Sequence, residues 1–112
     1  MFISVTRLHL RGKRMLPLFF LHTYKSNQQL KKAEGLLHSS VRNDDLMTYW
    51  TLTVWENEES MKKYRNNGNH LKAMKISRKI ADELEKINWI NEDDKIPNWK
   101  ECKERLHQNY GR

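Results

Sequence analysis

The chain predicts an α+β domain built on one antiparallel sheet, and three observations lead there. A strand rich in β-branched residues opens it. An aromatic strand near the middle, Thr48-Tyr49-Trp50-Thr51-Leu52-Thr53-Val54-Trp55, runs directly into an acidic helix start. The elements then read in the order β-α-β-β-α-β-α. The first six form the split βαβ, or ferredoxin-like, arrangement, a four-stranded antiparallel sheet with helices on one face. At 112 residues a single domain is expected.

Residues 2–10 are the first strand. Side chains alternate along a strand, so Phe2, Ser4, Thr6 and Leu8 share one face and Ile3, Val5, Arg7 and His9 the other. Arg11-Gly12-Lys13-Arg14 makes a turn. Pro17 suits an early helical position, where its missing N–H costs nothing, and the helix is expected to reach Ala33, with Gly35 ending it. Its opening, residues 15–21, is apolar nearly all round, so something besides its own sheet should touch this turn, at an interface or a cavity mouth.

Residues 36–41 read as a second strand and residues 42–45 as a polar hairpin turn. In the third strand, residues 47–55, Trp50, Leu52 and Val54 lie on one face, opposite Tyr49, Thr51, Thr53 and Trp55. Asn57 is the expected N-cap of the next helix, and Glu58 and Glu59 suit the positive end of its dipole. Met61 and Tyr64 begin its apolar stripe. Asn66-Asn67-Gly68-Asn69 should break it, after which Leu71, Met74, Ile76, Ile80, Ala81 and Leu84 continue the helical pattern to about residue 84. A short strand over 85–90 follows. Pro97 then opens a last helix carrying Trp99, Cys102 and Leu106. The expected division is a barrel domain over 1–96 and a C-terminal helical extension over 97–112.

Lys and Arg number 21 against 14 Asp and Glu, a net charge of +7. Acidic groups interrupt the basic ones, so a mixed, solvated surface is favoured over a polyanion site, although the Arg11–Arg14 turn keeps an anionic-surface binding module among the alternatives. With a single cysteine, Cys102, no disulfide forms within one chain. No leader-like order of basic, apolar and small residues opens the sequence, and the longest apolar run is too short to span a bilayer. A cytoplasmic protein is expected.

The run Leu52-Thr53-Val54-Trp55-Glu56, with Met61, Tyr64 and Gly68-Asn69-His70, resembles the antibiotic-biosynthesis monooxygenase superfamily of dimeric α/β barrels. Ser4-Val5-Thr6-Arg7, Trp50 to Glu56, His70-Leu71-Lys72-Ala73-Met74 and Pro97-Asn98-Trp99 are more similar to a bacterial branch described as spheroidene-monooxygenase-like. The resemblance implies a cavity between sheet and helices in each subunit, and either cofactor-free oxidation of aromatic compounds or haem binding. Its haem-degrading members carry an Asn, a Trp and a His at positions that fall here on Thr6, Tyr64 and Met74. None of those residue types is kept, which speaks against haem degradation.

His70 is the leading candidate residue. Its near-neutral intrinsic pKa suits a base or an axial haem ligand, and the plainer alternative is a helix-break histidine bonded to a backbone carbonyl. Tyr64 and Thr6 are expected to orient a substrate oxygen, Tyr64 through its phenol. His9, His22, His38 and His107 lack metal-ligand spacing. Arg7 is expected to pair with a carboxylate across a dimer, and Cys102 to be an inert buried thiol. The four tryptophans, Trp50, Trp55, Trp89 and Trp99, are expected in core and interface. The function expected is a monooxygenase acting on an apolar, aromatic or polyene-like small molecule, with no cofactor or with haem. A homodimer is expected because the helix-free face of the sheet, carrying Ile3 and Val5, needs a cover.

Overall fold

A computed structural model describes residues 1–111, with Asn69 described by its backbone alone; Arg112, the end of the expected extension, lies outside the described residues. Strands β1 (Phe2–Leu10), β2 (Leu36–Asn43), β3 (Thr48–Trp55) and β4 (Ala81–Ile90) form one antiparallel sheet in the order β2-β3-β1-β4. Helices α1 (Leu16–Leu30), α2 (Glu58–Arg65), α3 (Gly68–Ile80) and α4 (Trp99–Tyr110) complete it. This is the ferredoxin-like α+β fold expected from the element order.

Period-two alternation divides the strands as read. On one face Ile3, Val5, Trp50, Leu52 and Val54 are buried in a cluster completed by Cys102 and Leu106 of α4. The premise that this face lies bare is therefore corrected: the chain's own last helix covers it, and Val5 is wholly buried within a single copy. Asp44 ties that helix down, accepting from Trp50 Nε1 at 2.7 Å and from Lys103 Nζ at 2.6 Å.

Helix ends differ from the sequence reading in three places. α1 stops at Leu30, and Gly35, at a φ of 81°, carries the turn into β2. α3 stops at Ile80, because Ala81 turns extended and pairs with Leu10. Leu84 is thus a strand residue, and β4 is ten residues long. Pairing with β1 outweighs the helix propensity of Asp82-Glu83-Leu84-Glu85, the ladder satisfying those backbone groups of this edge strand that face β1. α4 begins after Pro97, where the Asn98 side chain accepts from Glu101 N at 2.8 Å as N-cap.

Arg7 is a further correction. It pairs with Glu83 at 2.7 Å and Glu85 at 2.9 Å on the neighbouring strand of its own chain. Register places Arg7 opposite Glu85, so no second copy is needed to neutralise it.

Candidate functional site

The other sheet face, with Ser4, Thr6, Tyr49, Thr51, Thr53 and Trp55, looks towards α1, α2 and α3 across a cavity of about 290 Å³. Phe19, Leu30, Met61 and Met74 supply apolar wall from the helices. The apolar opening of α1 meets the cavity: Phe19 packs on Tyr49 at 4.6 Å between ring centres, and Phe20 lines the same space while remaining half exposed. That size is at the low end for small-molecule pockets.

Tyr64 stands at the centre of a three-ring stack. Trp55 lies 5.4 Å from it on one side and His70 4.4 Å on the other, the latter nearly parallel. The α2–α3 break makes this possible. Tyr64 sits in the last turn of α2, the chain turns through Asn66 and Asn67, and Gly68, at a φ of 59°, restarts the helix so that His70 folds back over the Tyr64 ring. The left-handed backbone at Gly68 suits glycine, which has no Cβ to clash there.

Gln29, on α1, holds the break. Its Nε2 donates to Tyr64 O at 3.0 Å and Asn67 O at 2.8 Å, and its Oε1 accepts from His70 N at 2.8 Å. Sequence reasoning missed this residue. The contacts span 35 to 41 positions, and a glutamine on a helix carries no local sign of such reach.

Of the residues singled out beforehand, Thr6, Tyr64 and His70 all line the one cavity. The Tyr64 hydroxyl donates to Ser26 O at 3.1 Å, which leaves it lone pairs for a ligand donor rather than a proton to give. Burial pushes its pKa well above the usual phenol value. His70 Nδ1 is buried without a hydrogen-bond partner, so the carbonyl-bonded histidine of the plainer reading is not what forms at that nitrogen. Burial, reinforced by Lys86 and Arg65, lowers the imidazole pKa to about 4 and keeps the ring neutral at ordinary pH. Two other cavity-lining groups are buried without partners, Ser26 Oγ and Trp55 Nε1. Buried polar atoms are nearly always satisfied, so a concentration of orphans around one cavity marks a place for a ligand or ordered water.

Cys102, wholly buried under the sheet, has its thiol pushed up to about 11 by burial, away from nucleophilic use. Among the described residues no group of three or more His, Cys, Asp or Glu could hold a metal ion. No helix of the described chain is long and apolar enough to cross a membrane.

Sheet order and the helices packed over one face across a half-open cavity define a ferredoxin-like α+β fold, and known structures bear this out. A provisionally named antibiotic biosynthesis monooxygenase from Nitrosomonas europaea superposes with a TM-score of 0.73 at 9% identity, covering 83% of this chain and 100% of its own. Another with that provisional name, from Deinococcus radiodurans, gives 0.70 at 18% identity, covering 88% and 100%. SnoaB, a cofactor-independent oxygenase from Streptomyces nogalater, gives 0.66 at 13% identity, covering 87% and 97%. At such identities the likeness is one of fold. No curated protein matches the chain. A family model matches residues 23–109, and the chain belongs to that family, described as a domain of unknown function, DUF3291.

Proposed function

We propose that this protein is a monooxygenase that works on an apolar, aromatic or polyene-like small molecule held between sheet and helices. The observation that carries the reading is the half-open cavity walled by Phe19, Leu30, Met61 and Met74, with a neutral His70 whose Nδ1 is unpartnered stacked on Tyr64. The named function of SnoaB on the same fold supports oxygen chemistry without a cofactor, and the likeness to the spheroidene-monooxygenase-like branch supports a polyene among the candidate substrates. Fold alone does not fix a reaction.

In this reading the substrate supplies the electrons. His70, neutral and able to accept, takes a proton from an activated CH2 group. The resulting carbanion passes an electron pair to O2, forming a C–O bond, and protonation gives a hydroperoxide. Loss of water then leaves a ketone, so that CH2 and O2 become C=O and H2O. The lowered pKa keeps the imidazole wholly in its proton-accepting form at neutral pH while weakening it as a base, so the proton it takes is passed on and not held. Thr6 and the Tyr64 oxygen orient the substrate oxygen.

Haem is the second cofactor expectation, with His70 as axial ligand. The donor fits, because Nδ1 is unpartnered and the ring neutral. The space does not enclose it: about 290 Å³ is at the low end for ordinary ligands, and a tetrapyrrole would protrude through the open side. No step is therefore assigned to haem. A second copy remains part of the proposal. Since α4 closes the sheet face first expected to pair, the exposed Leu37 and Val41 of edge strand β2 supply apolar surface for it instead. Sedimentation is expected to give about 27 kDa, twice 13.6 kDa.

Oxygen uptake with anthrone, a tricyclic compound bearing an activated CH2, tests the reading. Uptake above the uncatalysed rate is expected, falling at least tenfold in His70→Ala with circular dichroism unchanged. An unaltered rate in His70→Ala would remove His70 from the chemistry, and no uptake by either protein would overturn anthrone-type oxygenation.

A further inference from the structure

We infer that the cavity selects an anionic ligand, an aromatic or polyene body whose ionised oxygen lies against Lys86 and Arg65. This rests on the cavity reading above and narrows its ligand class.

The argument begins with β4. Its alternation turns Glu83 and Glu85 to the face where Arg7 meets them, and sets Leu84, Lys86 and Asn88 on the cavity side. Among the described residues no Asp or Glu lines the cavity, although the chain has 14 of them, while Lys86 and Arg65 both do. Exposed Arg78 stands close enough to add to the same field. Among the described residues none of these three cations forms an ion pair, whereas Arg7, Lys62, Lys103 and Arg105 each have a carboxylate within 3.1 Å.

Like charges gathered without a counter-ion repel one another. Lys86 shows this: its pKa is lowered by partial burial and then by Arg65 and Arg78. An anion entering the cavity relieves that repulsion, and a cation would add to it. The orphaned buried groups point the same way. Trp55, wholly buried, has an indole N–H that can only donate, and Ser26 Oγ can donate as well. A carboxylate, phenolate or enolate oxygen accepts such bonds. The apolar walls argue against a bare inorganic anion, which would leave Phe19, Leu30 and Met74 facing empty space.

Two fluorescent probes with the same ring system test the inference. Anilinonaphthalene sulfonate carries a negative charge and phenylnaphthylamine carries none. Replacing Lys86 with Met removes the charge and keeps the stem, and Lys32→Met makes the same change in charge at an exposed site outside the cavity. Lys86→Met is expected to weaken sulfonate binding at least fivefold and change amine binding less than twofold, with Lys32→Met altering neither. Ala73→Trp, which fills the cavity from α3, is expected to abolish both. If both probes bind and Lys86→Met weakens them equally or not at all, the charge selection is wrong and the cavity reading stands. If neither probe binds, or if amine binding survives Ala73→Trp, the cavity reading fails and the inference with it.

Discussion

Gln29→Ala removes the clamp on the α2–α3 break, and the cost can be worked from three hydrogen bonds. Two run from Nε2 to the carbonyls of Tyr64 and Asn67, and one from His70 N to Oε1. A typical intramolecular hydrogen bond is worth about 0.5–1.5 kcal/mol net. The Asn67 bond is exposed, so water replaces it, while the other two are partly buried. The expected loss is therefore about 1–3 kcal/mol, or roughly 4–12 °C in Tm for a domain of this size. Gly68→Ala sharpens the test. An added Cβ would meet Gln29 Oε1 at 2.9 Å, on a backbone already at a φ of 59°. Left-handed backbone alone costs a non-glycine residue about 1–2 kcal/mol. In the Gln29→Ala background the crowding is gone, so Gly68→Ala should cost only that amount, and less than in the parent. Urea unfolding of the four proteins in this cycle reads both terms. If Gln29→Ala lies within about 0.5 kcal/mol of the parent, an ordinary surface effect, the clamp contributes nothing. Equal costs of Gly68→Ala in both backgrounds would refute the contact between the two side chains.

Further predictions concern charge and burial. Arg7→Met removes one ion-pair partner of Glu85, which is 4% exposed, and should cost about 1–3 kcal/mol in denaturant unfolding, with Arg7→Met/Glu85→Leu recovering part of it. His70 binds its proton at about pH 4 in the fold and near 6.5 unfolded. The unfolded state therefore holds more protons between those values, and stability is lost as pH falls through that window, by up to about 3 kcal/mol. Stability difference curves against His70→Ala should slope between pH 6.5 and 4 and be flat above. Asp44→Ala should cost about 1–3 kcal/mol by orphaning the buried Trp50 N–H. Cys102 should react with a thiol reagent only on unfolding, and fast labelling of the native protein would show α4 undocked.

The sequence carried the sheet faces well because a period of two, repeated over β1 and β3, leaves little choice about which residues go inside. Asn57 and the Asn-Asn-Gly break were equally plain, since caps and glycines act locally. Longer-range features were hidden. Leu84 kept a helical spacing while strand pairing with β1 decided otherwise. The docking of α4 joins Cys102 and Leu106 to strands far earlier in the chain, which no local pattern announces. Of the site, Thr6, Tyr64 and His70 were legible as residue types in the right elements. Gln29 and Lys86 were not: each looks like an ordinary surface polar residue until the fold places Gln29 across the break and Lys86 at the cavity.

Nuclear magnetic resonance titration with phenylnaphthylamine tests the central claim, that a small apolar molecule enters between sheet and helices. Amide shifts are expected at Thr6, Thr51, Thr53, His70 and Met74, which line the cavity, with Lys100 and Glu104 on the outer side of α4 unmoved. Shifts confined to α4 and edge strand β2, or none at saturating probe, would contradict the account.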